Sequence, residues 1–165
     1  MAQSTPTFKE LIQSPALLLG FGFGSGLASK GPGTFGTLLG LLLFLPILVW
    51  SETLAWTILA ISTVAGIWIC DRASKILGVH DHGGIVWDEF VGIWLVLLCL
   101  PEQNGWYWLF AFVAFRIFDI AKPWPISWAD RSVSGGFGIM LDDVLAAVVA
   151  IGFIWASTIS FNWLF

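Results

Sequence analysis

An all-α, multi-pass helical membrane protein is the fold class this sequence predicts, and three observations carry the prediction. Of its 165 residues 58% are hydrophobic and only 11% charged, with a mean hydropathy of +0.87. That is far from the composition of a soluble domain. Uncharged runs reach the ~20 residues a helix needs to cross a bilayer: Gly31 to Ser51, Thr53 to Cys70 and Val144 to Phe165. Eleven Trp and fourteen Phe suit a chain that meets membrane interfaces. The length predicts a single domain over 1–165, with a polar segment at 1–16.

The elements follow in order. Thr7 and Glu10 have capping-box spacing, which predicts a short interfacial helix over about 7–14. Glycines at 20, 22, 24 and 26 interrupt the apolar stretch from Leu17 and argue for close packing or a re-entrant turn. A polar, glycine-rich loop from Ser29 to Thr37 leads into the first spanning helix, and Ser51-Glu52 turns the chain into the second. Residues 90–101 and 103–115 are uncharged but too short to span. Extended over 85–101 and 105–121 they become the third and fourth helices, their charged ends inside a protein-lined cavity. Pro123 ends or bends the fourth, and 144–165 forms the fifth, giving about five membrane helices. A cleaved signal peptide is not expected. Cys70 and Cys99 are expected as small apolar helix residues, outside any disulfide or thiolate site.

Charge sets the orientation. With the amino terminus in the cytoplasm and five spans, Lys9, Lys30, Arg72, Lys75, Arg116, Lys122 and Arg131 all fall inside. Glu52, Glu102 and the uncharged carboxyl end fall outside. Every polar motif then gathers at the cytoplasmic face.

Four clusters meet there. Phe115 to Pro125 carries Arg116, Asp119 and Lys122, spaced three apart and within roughly a 120° arc of one helical face. An intrahelical ion-pair ladder explains that stripe as well as a headgroup site does. Lys30-Gly31-Pro32-Gly33-Thr34 with Gly36-Thr37 offers backbone N–H groups and hydroxyls for an anion, or is simply a flexible entry loop. Asp88-Glu89 opens the third helix, with Gly92 four residues on leaving room above Asp88, and Asp142-Asp143 opens the fifth after a glycine-rich turn. Acids at helix starts are favoured by the dipole alone. Two acidic pairs beside an Arg/Asp/Lys stripe point further, to carboxylates gathered for Mg²⁺, which prefers oxygen ligands and would relieve their repulsion.

Taken together, Lys30-x-Pro32-Gly33-Thr34, Ile85-Val86-x-Asp88-Glu89-x-x-Gly92, Phe115-Arg116-x-x-Asp119-x-x-Lys122-Pro123 and Gly138-x-x-x-Asp142-Asp143 resemble the motif set of the phosphatidylglycerophosphatase A family. The resemblance runs from about residue 20 to 150. It implies a Mg²⁺-dependent enzyme of the bacterial inner membrane, with its site facing the cytoplasm. Such an enzyme hydrolyses phosphatidylglycerophosphate to phosphatidylglycerol and inorganic phosphate in phospholipid biosynthesis. On that footing Glu89, Asp142 and Asp143, with Asp88 or Asp119, are expected to hold the metal, which polarises the phosphate and activates a water. Lys30, Thr34, Thr37, Arg116 and Lys122 are expected to grip the phosphate. Asp119 is expected as base or phosphorylated nucleophile, with Glu89 and Asp88 as its catalytic neighbours. The expected partners are a membrane phospholipid and the bilayer, not nucleic acid. His80-Asp81-His82 has no assigned role. The rival classes are a small cation transporter using the acidic pairs as ion ligands, and a structural subunit whose charges pair with a partner.

Overall fold

The computed structural model describes residues 5–164, and every regular element among them is helical. Helix α1 (Phe8–Gln13) is opened by the expected capping box: the Glu10 N–H donates to Thr7 Oγ1, and the Thr7 N–H donates back to the Glu10 carboxylate at 2.6 Å. Ser14 ends α1 and caps α2 (Pro15–Gly20), a helix the sequence reading did not foresee. The glycine run then forms a 3₁₀ turn over Gly22–Leu27, with left-handed backbone at Gly22, Phe23 and Gly24 (φ 51°, 57° and 105°). Its purpose is close approach. A Cβ on Gly26 would stand 2.0 Å from the Gly84 carbonyl, and the Val86 N–H donates to the Gly20 carbonyl at 2.7 Å. The turn therefore lies directly on the chain that enters the helix carrying the first acidic pair.

Helix α3 (Pro32–Trp50) starts after a left-handed Gly31 and takes Pro32 at its first position. Its buried residues Gly33, Gly36, Thr37 and Gly40 form a stripe of small side chains. Such a stripe lets two backbones approach closely in a membrane. Helix α5 (Trp87–Leu98) occupies that space: a Cβ on Gly36 would lie 2.6 Å from Val86, and one on Gly40 would lie 3.0 Å from the Phe90 ring. Ten of the twelve residues of α5 are buried. Its two tryptophans find backbone acceptors inside the core. Trp94 Nε1 donates to the Gly40 carbonyl at 2.8 Å, and Trp87 Nε1 donates to the Ser62 carbonyl at 3.1 Å. The Phe44 ring stacks on Trp94 with centroids 4.8 Å apart.

Around α5 stand α3, α4 (Glu52–Leu77), α6 (Gly105–Ala121) and α8 (Gly135–Leu164), with α7 (Ile126–Ser132) packed across the start of α8. Lys122 ends α6 in a left-handed conformation (φ 41°) just before Pro123, where the sequence placed the stop. The expectation of five full spans is not confirmed. Helices α3, α4 and α8 are long and apolar enough to cross a membrane. By contrast α5 covers only ~18 Å at ~1.5 Å per residue, against a ~30 Å hydrocarbon core. It is a short central helix whose apolar run is explained by burial in protein. Helix α8 begins nine residues earlier than the expected 144, so Asp142 and Asp143 lie about two turns inside it rather than at its opening. The start of α3, the start of α5, the end of α6 and the start of α8 converge at one end of the bundle, joined by the side-chain contacts described next. Helix α4 lies against the start of α8, where a Cβ on Gly136 would stand 2.6 Å from the Asp71 nitrogen.

Candidate active site

Three carboxylates define the centre. Asp88 and Glu89 stand in the first turn of α5, and Asp143 comes from α8. One oxygen from each lies within 4.8 Å of the other two. Asp88 and Asp143 are 8% and 3% exposed, and the Glu89 side chain 12%. Asp88 Oδ1, Glu89 Oε2 and Asp143 Oδ2 are buried without a protein hydrogen-bond partner. A buried carboxylate oxygen with no donor is costly, and three together repel one another. A divalent cation with a preference for hard oxygen ligands satisfies both conditions. The residues present therefore fit a metal of the Mg²⁺ kind.

Beside this cluster lies Arg116. Its Nη1 donates to the Asp119 carboxylate one helical turn on, reaches Thr37 Oγ1 at 3.4 Å, and lies 3.8 Å from Glu89 Oε1. Its Nε is buried without a partner. Thr37 is itself held by donating to the Gly33 carbonyl at 2.8 Å. The wall between α3 and this pair is bare backbone at Gly33. A Cβ there would lie 2.3 Å from Glu89 Oε1 and 3.1 Å from both terminal nitrogens of Arg116. The positive end of the α3 dipole thus comes right up to the charged cluster, because the residue at that point has no side chain.

A second group surrounds Lys122. Just beyond α6, its ammonium donates to Asp130 of α7 and to Asp142 Oδ2 of α8, the latter at 2.6 Å. Burial acts to lower its pKa, but the hydrogen bonds to Asp130 and Asp142 outweigh burial and hold it above the usual lysine value. Asp81, in the loop before α5, shares a small pocket with His80, Asp130 and Asp142. Although Asp81 as a whole residue is exposed, loss of hydration at its carboxyl raises its pKa; Lys122 opposes that rise and Asp130 adds to it. The two histidines have structural roles. His80 Nε2 accepts the Gly135 N–H at the start of α8 at 2.9 Å, and His82 Nδ1 accepts the Gly84 N–H at 3.0 Å.

The structure therefore brings together Asp88, Glu89, Asp119, Asp143, Arg116 and Thr37, and places Lys122 and Asp142 as a linked pair alongside. Adjacent Asp142 and Asp143 point to different groups, about 100° apart on the helix. Asp143 joins the carboxylate cluster, whereas Asp142 pairs with Lys122 and stands outside the three-oxygen group. Lys30 and Thr34 stand apart from the carboxylate cluster: Lys30 is exposed in the loop before α3, and Thr34 is half-buried beside Arg116 in the cleft between α3 and α6. Gly92 does not leave room above Asp88. Its missing side chain is filled by the Phe115 ring, 2.5 Å from where a Cβ would stand. Two contributors were not singled out from sequence. Asp130 lies in an unremarkable polar stretch with no spacing signal. Gly33 reads in sequence only as part of an anion-binding or flexible entry loop, whereas its place at the head of the small-residue stripe Gly33, Gly36, Thr37 and Gly40 marks it as a contact point.

A family model described as phosphatidylglycerophosphatase A matches residues 18–158. The chain is 45% identical over 150 residues to phosphatidylglycerophosphatase A of Escherichia coli, covering 87% of this chain and 84% of that one. It is 44% identical over 160 residues to the protein of the same name from Haemophilus influenzae, covering 94% and 96%. A relative from Bacteroides thetaiotaomicron, 40% identical over 139 residues and covering 80% of this chain and 86% of its own, is named as a candidate phosphatidylinositol-3-phosphatase. No solved structure matches the chain. The match spans all four charged clusters and both sides of the carboxylate centre, and this chain belongs to the phosphatidylglycerophosphatase A family.

Proposed function

We propose that this protein is a phosphatidylglycerophosphatase that removes the terminal phosphate of phosphatidylglycerophosphate at the cytoplasmic face of a bacterial inner membrane, with Mg²⁺ as cofactor. The observation that carries the reading is the buried trio Asp88, Glu89 and Asp143, with unpartnered oxygens, set against Arg116 across the bare backbone of Gly33. Membership of a phosphatase family sets the transporter and structural-subunit alternatives aside. Orientation is supported by Arg116 and Lys122 at the site end, and by Trp124 and Trp128, 81% and 56% exposed beside it, as interfacial anchors.

Hydrolysis adds water to phosphorus, breaks the bond from phosphorus to the glycerol oxygen, and leaves that oxygen protonated. The transition state is loose, so positioned charge matters more than a strong base. Asp88, Glu89 and Asp143 would hold the metal, which when bound supplies positive charge to the phosphoryl oxygens. Arg116 binds a non-bridging phosphate oxygen, and Asp119 and Thr37 fix the direction of its guanidinium. Lys122, steadied by Asp130 and Asp142, supplies a second cation at the mouth of the site. Asp119 acts either as proton acceptor or as phosphorylated nucleophile, and acid quenching during turnover separates the two, since only the second traps a phosphoprotein.

The test is phosphate release from phosphatidylglycerophosphate by purified protein in detergent micelles, with and without Mg²⁺, beside Glu89→Gln. Phosphatidylinositol-3-phosphate is assayed in parallel. Mg²⁺-dependent release from the first lipid, lost in the variant, is the expected result. Faster release from the inositol lipid would overturn the headgroup assignment, and no release from either would overturn the phosphatase reading.

A further inference from the structure

We infer that the cleft between α3 and α6 holds an acyl chain of the phospholipid substrate, an inference that rests on the lipid-phosphatase reading above. Two apolar cavities, of about 420 Å³ and about 320 Å³, lie end to end along this cleft and share Phe112. On the α3 side the lining residues are Thr34, Leu38, Leu41 and Leu45, at helical steps of four, three and four. Such steps keep side chains on one face of a helix. On the α6 side the lining runs from Gly105 through Trp108 and Phe112 to Arg116. A Cβ on Gly105 would meet nothing within 4 Å, so the inner end of the cleft is open.

What distinguishes this cleft from the rest of the lipid-facing surface is its end. Arg116 is the one charged residue lining either cavity, and the same guanidinium reaches Thr37, Asp119 and the edge of the carboxylate cluster. A lipid whose phosphate rests on Arg116 would have its tail start in the cleft. The depth also agrees. From Arg116 back to Gly105 is eleven residues of helix, ~16 Å at ~1.5 Å per residue. That is close to half of the ~30 Å hydrocarbon core, the depth of one leaflet. Two other apolar cavities, beside Trp106 and Thr158 and beside Ser25 and Leu42, have no charged lining residue to fix a phosphate.

The experiment compares dioleoyl with dihexanoyl phosphatidylglycerophosphate in mixed micelles, with Mg²⁺ and the full chain. Val113→Trp places an indole in the cleft from a position 43% exposed, and Leu109→Trp does so one turn deeper. Val148→Trp, on the lipid-facing side of α8 and in none of these cavities, is the control. Each cleft variant is expected to lower kcat/KM for the dioleoyl lipid about tenfold relative to the dihexanoyl lipid, roughly the worth of burying two methylene groups. The change should appear in KM, with kcat held and Val148→Trp like wild type. A second readout does not depend on turnover. Dioleoyl-length phosphatidylglycerophosphate carrying a diazirine near one chain end should label Leu41, Trp108 and Phe112 above the other lipid-facing residues. Even labelling around the perimeter, or an unchanged chain-length preference in both folded variants, overturns the cleft assignment while leaving the phosphatase reading intact. A wild-type protein that hydrolyses neither lipid overturns that reading, and the labelling pattern then decides the cleft alone.

Discussion

Replacing Gly33 by alanine separates the needs of the fold from those of the site. Gly33 lies in the first turn of α3 without a left-handed φ, so alanine suits its backbone and could add up to about 1 kcal/mol of helix propensity. The added methyl, however, would stand 2.3 Å from Glu89 Oε1, about 1 Å short of ordinary contact, and 3.1 Å from Arg116 Nη1 and Nη2. These are the ends of long side chains, so they can yield without opening the helix packing. What yields is the spacing between a proposed metal ligand and the guanidinium proposed to bind phosphate. A displacement near 1 Å in a positioned group costs on the order of 100-fold in rate, equivalent to about 2.7 kcal/mol in the barrier. The expected signature is therefore a melting temperature in detergent equal to or above wild type, with kcat/KM for phosphatidylglycerophosphate down about 100-fold. Gly152→Ala on α8, where a Cβ would meet nothing within 4 Å, is the matched control and should keep full activity. Wild-type activity in a folded Gly33→Ala protein would refute the role given to that wall.

Three further predictions rest on other parts of the structure. Arg116→Lys keeps the charge and can replace the contacts that Nη1 makes, but it loses the buried, unpartnered Nε–H and the second terminal nitrogen that a bidentate grip on phosphate needs. It should lower kcat/KM roughly 100-fold with the melting temperature little changed, and an activity within threefold of wild type would count against a guanidinium-specific role. Gly136→Ala would put a methyl 1.9 Å from the Ile67 carbonyl and 2.6 Å from the Asp71 nitrogen, both backbone atoms of α4 that cannot move aside. About 3 kcal/mol of destabilisation is expected, read as a lower unfolding midpoint, and an unchanged midpoint would mean the α4–α8 crossing is looser than drawn. Asp81, whose folded pKa is raised above its ordinary 3.8, binds its proton more tightly in the folded state, so its ionised form costs stability above that value. Asp81→Asn should therefore raise the melting temperature at neutral pH and lose that advantage as pH falls towards 3.8; a stabilisation independent of pH would point to another cause.

Much of this protein is determined by local sequence. Length of uncharged run fixes α3 and α4, the Thr7–Glu10 pair fixes α1, and Pro123 stops α6, because each depends on neighbours within a turn or two. The charged residues were legible for a related reason: a carboxylate or guanidinium in so apolar a chain is costly unless other groups meet it, so each marks a site. What only the tertiary structure decided is how those residues divide. Whether an apolar run of twelve spans a bilayer or fills a core depends on what surrounds it, and four helices around α5 give the answer. Adjacent Asp142 and Asp143 look equivalent in sequence, yet the crossing of α8 with α5 on one side and Lys122 on the other sends them to different partners. Counting from the last charge put the start of α8 too late, since acids facing protein rather than lipid can stay inside the helix. Gly33 has no chemistry of its own to read. Its importance is a distance, and distances between residues far apart in the chain exist only after α3, α5 and α6 have packed.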